Sequence, residues 1–340
     1  MRGTVERLTV EQAARAGWDG LLGPGDGFQQ TSWLRVQERM LGDRLHLTCL
    51  WQGQDLVAAM VSVETDVGSP WTMARPDVLL DLPAEVSLPA LTCGGRHLGN
   101  TRILLAPGRD ASAAAPLLLE CADRAAAQGG RCAFFPHVRD DDPLTGELAA
   151  AGFEPAGVDP YCVFPVGTTF DGYLAGLSQQ RRRGVRRDRR EVAESGFELQ
   201  LRPLSECDVE RLAELDVALL RKHGNHHADR AHSLAVLEAL ADGPQVLVSL
   251  ATRGGVVAGF GAMVELRVDG CTRWFGNRAG FDYDMKGEAP LYFEVLFYSP
   301  YEWAAQRGVE AIHVGMGSTD AKVSRGAVAY PQSCWVRWTA

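Results

Sequence analysis

The sequence predicts an α/β (α+β) protein built from two copies of one folding unit. Two stretches, "AAAQGGRCAFFPHV" (125–138) and "WAAQRGVEAIHVGM" (303–316), share one pattern: a helix end, a glycine, then a strand. A hairpin lies upstream of each. "LHLTCLW" turns at "QGQD" into "LVAAMVSVET", and "QVLVSLA" turns at "TRGG" into "VVAGFGAMVEL". The copies are offset by roughly 180–200 residues, and an internal duplication is the economical account.

Each element follows from local chemistry. Glycine and aspartate at the hairpin turns supply the positive φ that tight turns need. A further turn at "VDG" leads to a strand over "CTRWFGN" (271–277). "LTGELAAAGFEPAG" and "YCVFPV" (144–166) give a short helix, a glycine break and two strands that close the first copy. "VAYPQSCWVRW" (328–338) reads as the final strand of the second. The boundary falls near residue 168, giving domains 1–167 and 168–340. Asp171 is the expected N-cap of a helix carrying Phe170, Tyr173, Leu174 and Leu177. Ser178 caps a second helix over 179–194, whose apolar positions are Val185 and Val192 on one stripe.

That second helix holds "RRRGVRRDRR" (181–190), seven arginines and one aspartate. The chain as a whole carries −9, so the window's +6 leaves −15 on the other residues. Lysine occurs only at Lys222, Lys286 and Lys322, and part of the arginine excess reflects a GC-rich coding bias. The clustering does not. Either a phosphate-bearing polyanion docks on Arg181, Arg182, Arg183, Arg186 and Arg187, or the helix has a solvated basic face. Eight cysteines contain no C-x-x-C pair, so buried free thiols are expected rather than zinc or a redox motif. No run of about 18 apolar residues is present, and no signal peptide opens the chain, so a cytoplasmic protein without a membrane partner is expected.

The segments "GWDGLL…FQQTSWLRVQERM" (17–40), "FDGYLAGLSQQRRRGVRRDRREVAESGFEL" (170–199), "LYFEVLFYSPYEWAAQRG" (291–308) and "GMGSTDAKVSRG" (315–326) resemble a tandem GNAT acyltransferase of the Fem-type, predicted N-acyltransferase group. The resemblance implies two GNAT-like domains, each a mixed twisted sheet flanked by helices. It implies a first domain that keeps the fold without the chemistry and a second that moves an acyl group to an amine. The implied donor is a phosphopantetheine thioester, coenzyme A or an acidic acyl carrier protein, used as substrate with no tightly bound cofactor. The acceptor is a small-molecule amine, in specialised metabolism. Two alternatives stay open: a Fem-like aminoacyl transferase using charged tRNA, and a non-catalytic binding module. One departure stands out. The Q/R-x-x-G-x-G/A loop that cradles the coenzyme A pyrophosphate at a helix N-terminus is missing from 277–294, and "RRRGVR" mimics its first half in the wrong place. One basic patch on an acidic body fits a carrier protein or nucleotide tail better than the broad field that tRNA normally meets.

Candidate site residues follow from that frame. Glu294 lies in an apolar helix, where burial raises a carboxylate pKa as a general base requires. Tyr298, four residues on, is placed to protonate a departing thiolate. His313, on the strand before "GMGST", is a second candidate base. Each has a plainer reading as a hydrogen-bonded core residue. Lys322 and Arg325 are candidates to hold an anionic group. The resemblance implies that backbone N–H groups of the strand over Trp274 and Gly276 polarise the acyl carbonyl, with Asn277 and Arg278 lining the acceptor site and a bulge at Gly276 or Gly280. His223 belongs to a histidine-rich loop, "RKHGNHHADRAH", expected to face substrate or solvent. A metal at His223 and His226 is disfavoured, since no cysteine is near.

Overall fold

The hairpin pattern becomes two mixed sheets in the computed structural model, which describes residues 3–23, 26–69, 74–95, 101–223, 228–243, 245–268 and 270–339. The described strands of the first half are β1 (Thr4–Leu8), β2 (Leu45–Gln52), β3 (Asp55–Thr65), β4 (Ala90–Cys93), β5 (Leu104–Leu105), β6 (Cys132–Arg139), β7 (Glu154–Gly157) and β8 (Tyr161–Pro165). Those of the second are β9 (Glu198–Pro203), β10 (Val246–Arg253), β11 (Val256–Val268), β12 (Cys271–Phe281), β13 (Ala311–Gly315), β14 (Val328–Tyr330) and β15 (Gln332–Trp338). One sheet runs β1-β2-β3-β4-β6-β15-β7, with β5 on β3; the other runs β9-β10-β11-β12-β13-β8-β14. Apart from β5, the two sheets match strand for strand. In each sheet one parallel ladder is three residue pairs long: Ala90–Thr92 against Cys132–Phe134, and Arg273–Phe275 against Ala311–His313.

The expected boundary at 167/168 is replaced by an exchange. β8 leaves the first half and pairs with β13, while β15 returns to sit between β6 and β7. The units are accordingly Met1–Tyr161 with Tyr330–Ala340, and Cys162–Ala329. The single strand expected over 328–338 is two strands, β14 and β15, in different sheets. Pro331, which has no N–H to donate, stands between them.

In the first unit, the helix Ala115–Ala127 presses Leu117, Leu118, Cys121 and Ala125 onto Met60, Ala133 and Phe135. In the second, helices cover both faces of the sheet. Gly280 of β12 lies under the helix Val209–Lys222, where a Cβ would come within 2.3 Å of the Leu215 carbonyl carbon. Gly280 is thus required for helix packing rather than for a bulge. Gly261 of β11, paired with Ala279 and so on the opposite face, lies under Leu296 and Val295. That opposite face carries a helix-like segment in three parts: a turn at Leu291–Phe293, a π turn at Glu294–Tyr298, and the helix Ser299–Gln306. The helix Gln179–Glu194 packs beside it, capped by Ser178 as expected, and buries Val185, Asp188 and Val192. The preceding helix, Phe170–Gly176, is capped by Thr169 rather than Asp171. The eight cysteines are thiols rather than disulfides, and six of them are buried. Among the described residues no helix is long and apolar enough to cross a membrane.

Candidate active site

The second sheet opens between β12 and β13. Their ladder stops at Phe275 and His313, yet β12 continues to Phe281 and β13 to Gly315, which pairs with Cys162 instead. On its other side β12 bulges: Ala262 pairs with Arg278 and Met263 with Gly276, leaving Asn277 as the extra residue. The expected bulge is present and centres on Asn277. Its Oδ1 is buried without a hydrogen-bond partner.

Side-chain alternation sorts the candidates by face. Trp274 and Ile312 join Phe297 and Tyr298 in one core cluster. Phe275 and His313 therefore face the other way, with their rings stacked at 4.2 Å and 19°. Arg278 is on that same face. It pairs with Asp216 at 3.3 Å, and Asp216 also accepts a hydrogen bond from Ser233. Glu294 lies across the sheet from His313 and Arg278.

The candidates thus divide. His313, Gly276, Asn277 and Arg278 meet at the opening. Trp274 is fully buried and donates its indole N–H to Glu265, so its side chain belongs to the core. Glu294 is 1% exposed; Oε1 accepts from Ser299 and pairs with Arg189 at 3.3 Å, while Oε2 has no partner. Burial pushes its carboxyl up, against the pull of Arg189. Tyr298 is bonded elsewhere than at Glu294. Its hydroxyl donates to Asp188 and accepts from Arg325, so its proton is already committed; burial pushes its pKa up as well.

Lys322 is not an anion holder. It is 2% exposed, and its ammonium donates to the carbonyls of Val314, Gly315 and Met316. The loop wound around it places Gly315, Gly317 and Ser318 at positive φ. Arg325 stacks on Phe293 and bonds Asp188 and Tyr298. His223 ends the helix Val209–Lys222; the loop it was expected to lead, with His226, falls at 224–227, outside the described residues. Among the described residues no three metal-ligating side chains come together.

The arginine helix presents Arg183, Arg186, Arg187 and Arg190 outward. Arg187 and Arg190 lean on Glu191 and Glu194, and Arg182 reaches the Ala175 carbonyl. Arg181, Arg183 and Arg186 meet no carboxylate among the described residues. Residues that sequence reasoning missed are Asp188, Arg189, Asp216 and Ser233. Their signal is weak, because each is explained only by a partner far along the chain.

The FemAB-like family, described as peptidoglycan biosynthesis/recognition, matches residues 99–339. The chain belongs to the FemAB-like family. No curated protein sequence matches it. Among solved structures, the FemAB-like chain is similar to FemX, with a TM-score of 0.64 at 11% identity, covering 99% of this chain and 97% of that one. It is similar as well to a tandem GNAT protein from the clavulanic acid biosynthesis pathway, with a TM-score of 0.60 at 12% identity, covering 98% of each chain. The fold of this FemAB-like chain is a tandem GNAT fold.

Proposed function

We propose that the second unit of this transferase moves an aminoacyl group from charged tRNA to an amine, the Fem-like alternative raised by the sequence. The observation that carries this reading is the opening of the β12–β13 ladder beside the Asn277 bulge. Backbone N–H groups along an unpaired strand edge suit the developing oxyanion of an acyl ester. Asn277 Oδ1, buried and without a partner, suits the α-ammonium that an aminoacyl group has and a simple acyl group lacks. The acceptor nitrogen bonds to the ester carbonyl carbon, the C–O bond to the tRNA breaks, and the nitrogen's proton passes to His313. The leaving ribose hydroxylate takes up that proton from His313, which returns to its neutral form.

A coenzyme A donor is less well supported. Pro290 stands at the N-cap of the segment after β12 and offers no N–H, and the Leu291 N–H turns back to Ala289 O at 2.8 Å. The outward arginines serve as the phosphate contacts for the tRNA. The test gives the full chain labelled aminoacyl-tRNA, acyl-CoA or an acyl carrier protein thioester, each with amine-bearing peptides. Label should leave the tRNA for the amine, and His313→Ala should slow it by about 100-fold. Transfer from the thioester donors alone would overturn the reading.

A further inference from the structure

A cleft of ≈ 710 Å³ lies on the other face of the same unit, over β9 and between the arginine helix and the π turn. β9 is four strand spacings from β13, about 19 Å at about 4.8 Å each, so the cleft is separate from the opening described above. Its volume suits a small organic molecule.

The lining has three parts. Deep in it is Glu294, whose Oε2 is buried without a partner. A buried carboxylate oxygen left unpaired is costly, and a bound N–H donor removes that cost. The middle is apolar: Phe170, Leu174, Val192, Phe197 and Leu199. Toward the solvent stand Arg186 and Arg190, both exposed. Arg186 meets no carboxylate among the described residues, while Arg189 is held by Glu294, Glu302 and the Phe170 ring. Three guanidiniums and three carboxylates (Glu294, Glu302 and Asp171) line the cleft, so a net-neutral dipolar ligand matches it best.

We infer that this cleft binds a small zwitterion with an apolar body, its ammonium on Glu294 Oε2 and its carboxylate on Arg186 and Arg190: an apolar amino acid. The inference does not depend on the donor used at the β12–β13 opening, and its test reads binding rather than transfer. The π turn that carries Glu294 accords with it, since such turns are frequent at functional sites.

The experiment is calorimetric titration of the full chain at neutral pH with leucine and phenylalanine. Their analogues lacking the carboxylate (isopentylamine, phenethylamine) and lacking the amine (isocaproate, phenylpropionate) run alongside. One amino acid should bind saturably, and both of its analogues at least about tenfold more weakly. Glu294→Gln should weaken amino acid and amine alike by about tenfold or more. The double variant Arg186→Ala, Arg190→Ala, altering exposed positions that do not threaten the fold, should weaken the amino acid and leave the amine unchanged. Two results overturn the inference: no saturable binding of either amino acid, or binding indifferent to both variants. The second would mean that water alone serves Oε2.

Discussion

The Tyr298 hydroxyl donates to Asp188 Oδ2 at 2.8 Å, joining the π turn to the arginine helix. Arg325 closes the triangle, at 3.1 Å from the same oxygen and 2.7 Å from the tyrosine. Asp188→Asn should leave Arg325 beside a neutral amide. Arg325 is about a fifth exposed, so water recovers part of the loss. We expect about 2–3 kcal/mol of destabilisation, read from urea denaturation.

Glu294 sets a pH dependence. Its pKa is raised in the folded chain from the ordinary 4.5, so the native state holds this proton more tightly than the unfolded chain does. Stability from this group is therefore fullest below 4.5 and falls as pH rises through the folded value. Glu294→Gln should melt higher than the parent at neutral pH, and the gap should shrink as pH drops towards 4.5. A gap independent of pH across thermal melts would contradict this.

The outward arginines should act electrostatically. Arg183→Ala with Arg186→Ala should weaken tRNA binding, and the slope of log affinity against log salt should fall by about 1–2. Filter binding at several salt concentrations measures both quantities. The far-ultraviolet circular dichroism should not change, since neither side chain is buried.

Lys322→Met should release the loop after β13. Three carbonyls lose one shared donor, and a cost of about 2–4 kcal/mol is expected. Amide exchange at Val314–Ser318 should quicken more than exchange in β10.

How much was legible follows from the range of each interaction. The hairpins, the Ser178 cap and the helix Gln179–Glu194 were readable because turn glycines, caps and stripes are local. Asp188 read as one more charge in a basic run, since nothing nearby announces Tyr298, 110 residues away. Lys322 read as a loop lysine, because its three carbonyl partners appear only once the loop has curled. Local pattern offers Glu294 and His313 as alternative bases, but it does not say which face of a shared sheet each element covers. For the same reason local pattern puts β8 and β15 in the wrong sheets: an apolar strand fits either.

The crossed ownership of β8 and β15 sets an order of events during synthesis. When the ribosome has made β7, the first sheet still has a gap between β6 and β7 that β8 does not fill. The gap persists until β15 has been made, about half the chain later. Two facing strand edges stay unpaired for that time, the exposure that invites wrong pairings and chaperone capture. A plasmid cut at the apparent midpoint would encode two halves, each lacking one strand of its sheet (β15 in the first, β8 in the second) and carrying one with no sheet of its own. The segment to express alone is 162–329, and the first unit needs its last strand spliced back by a linker.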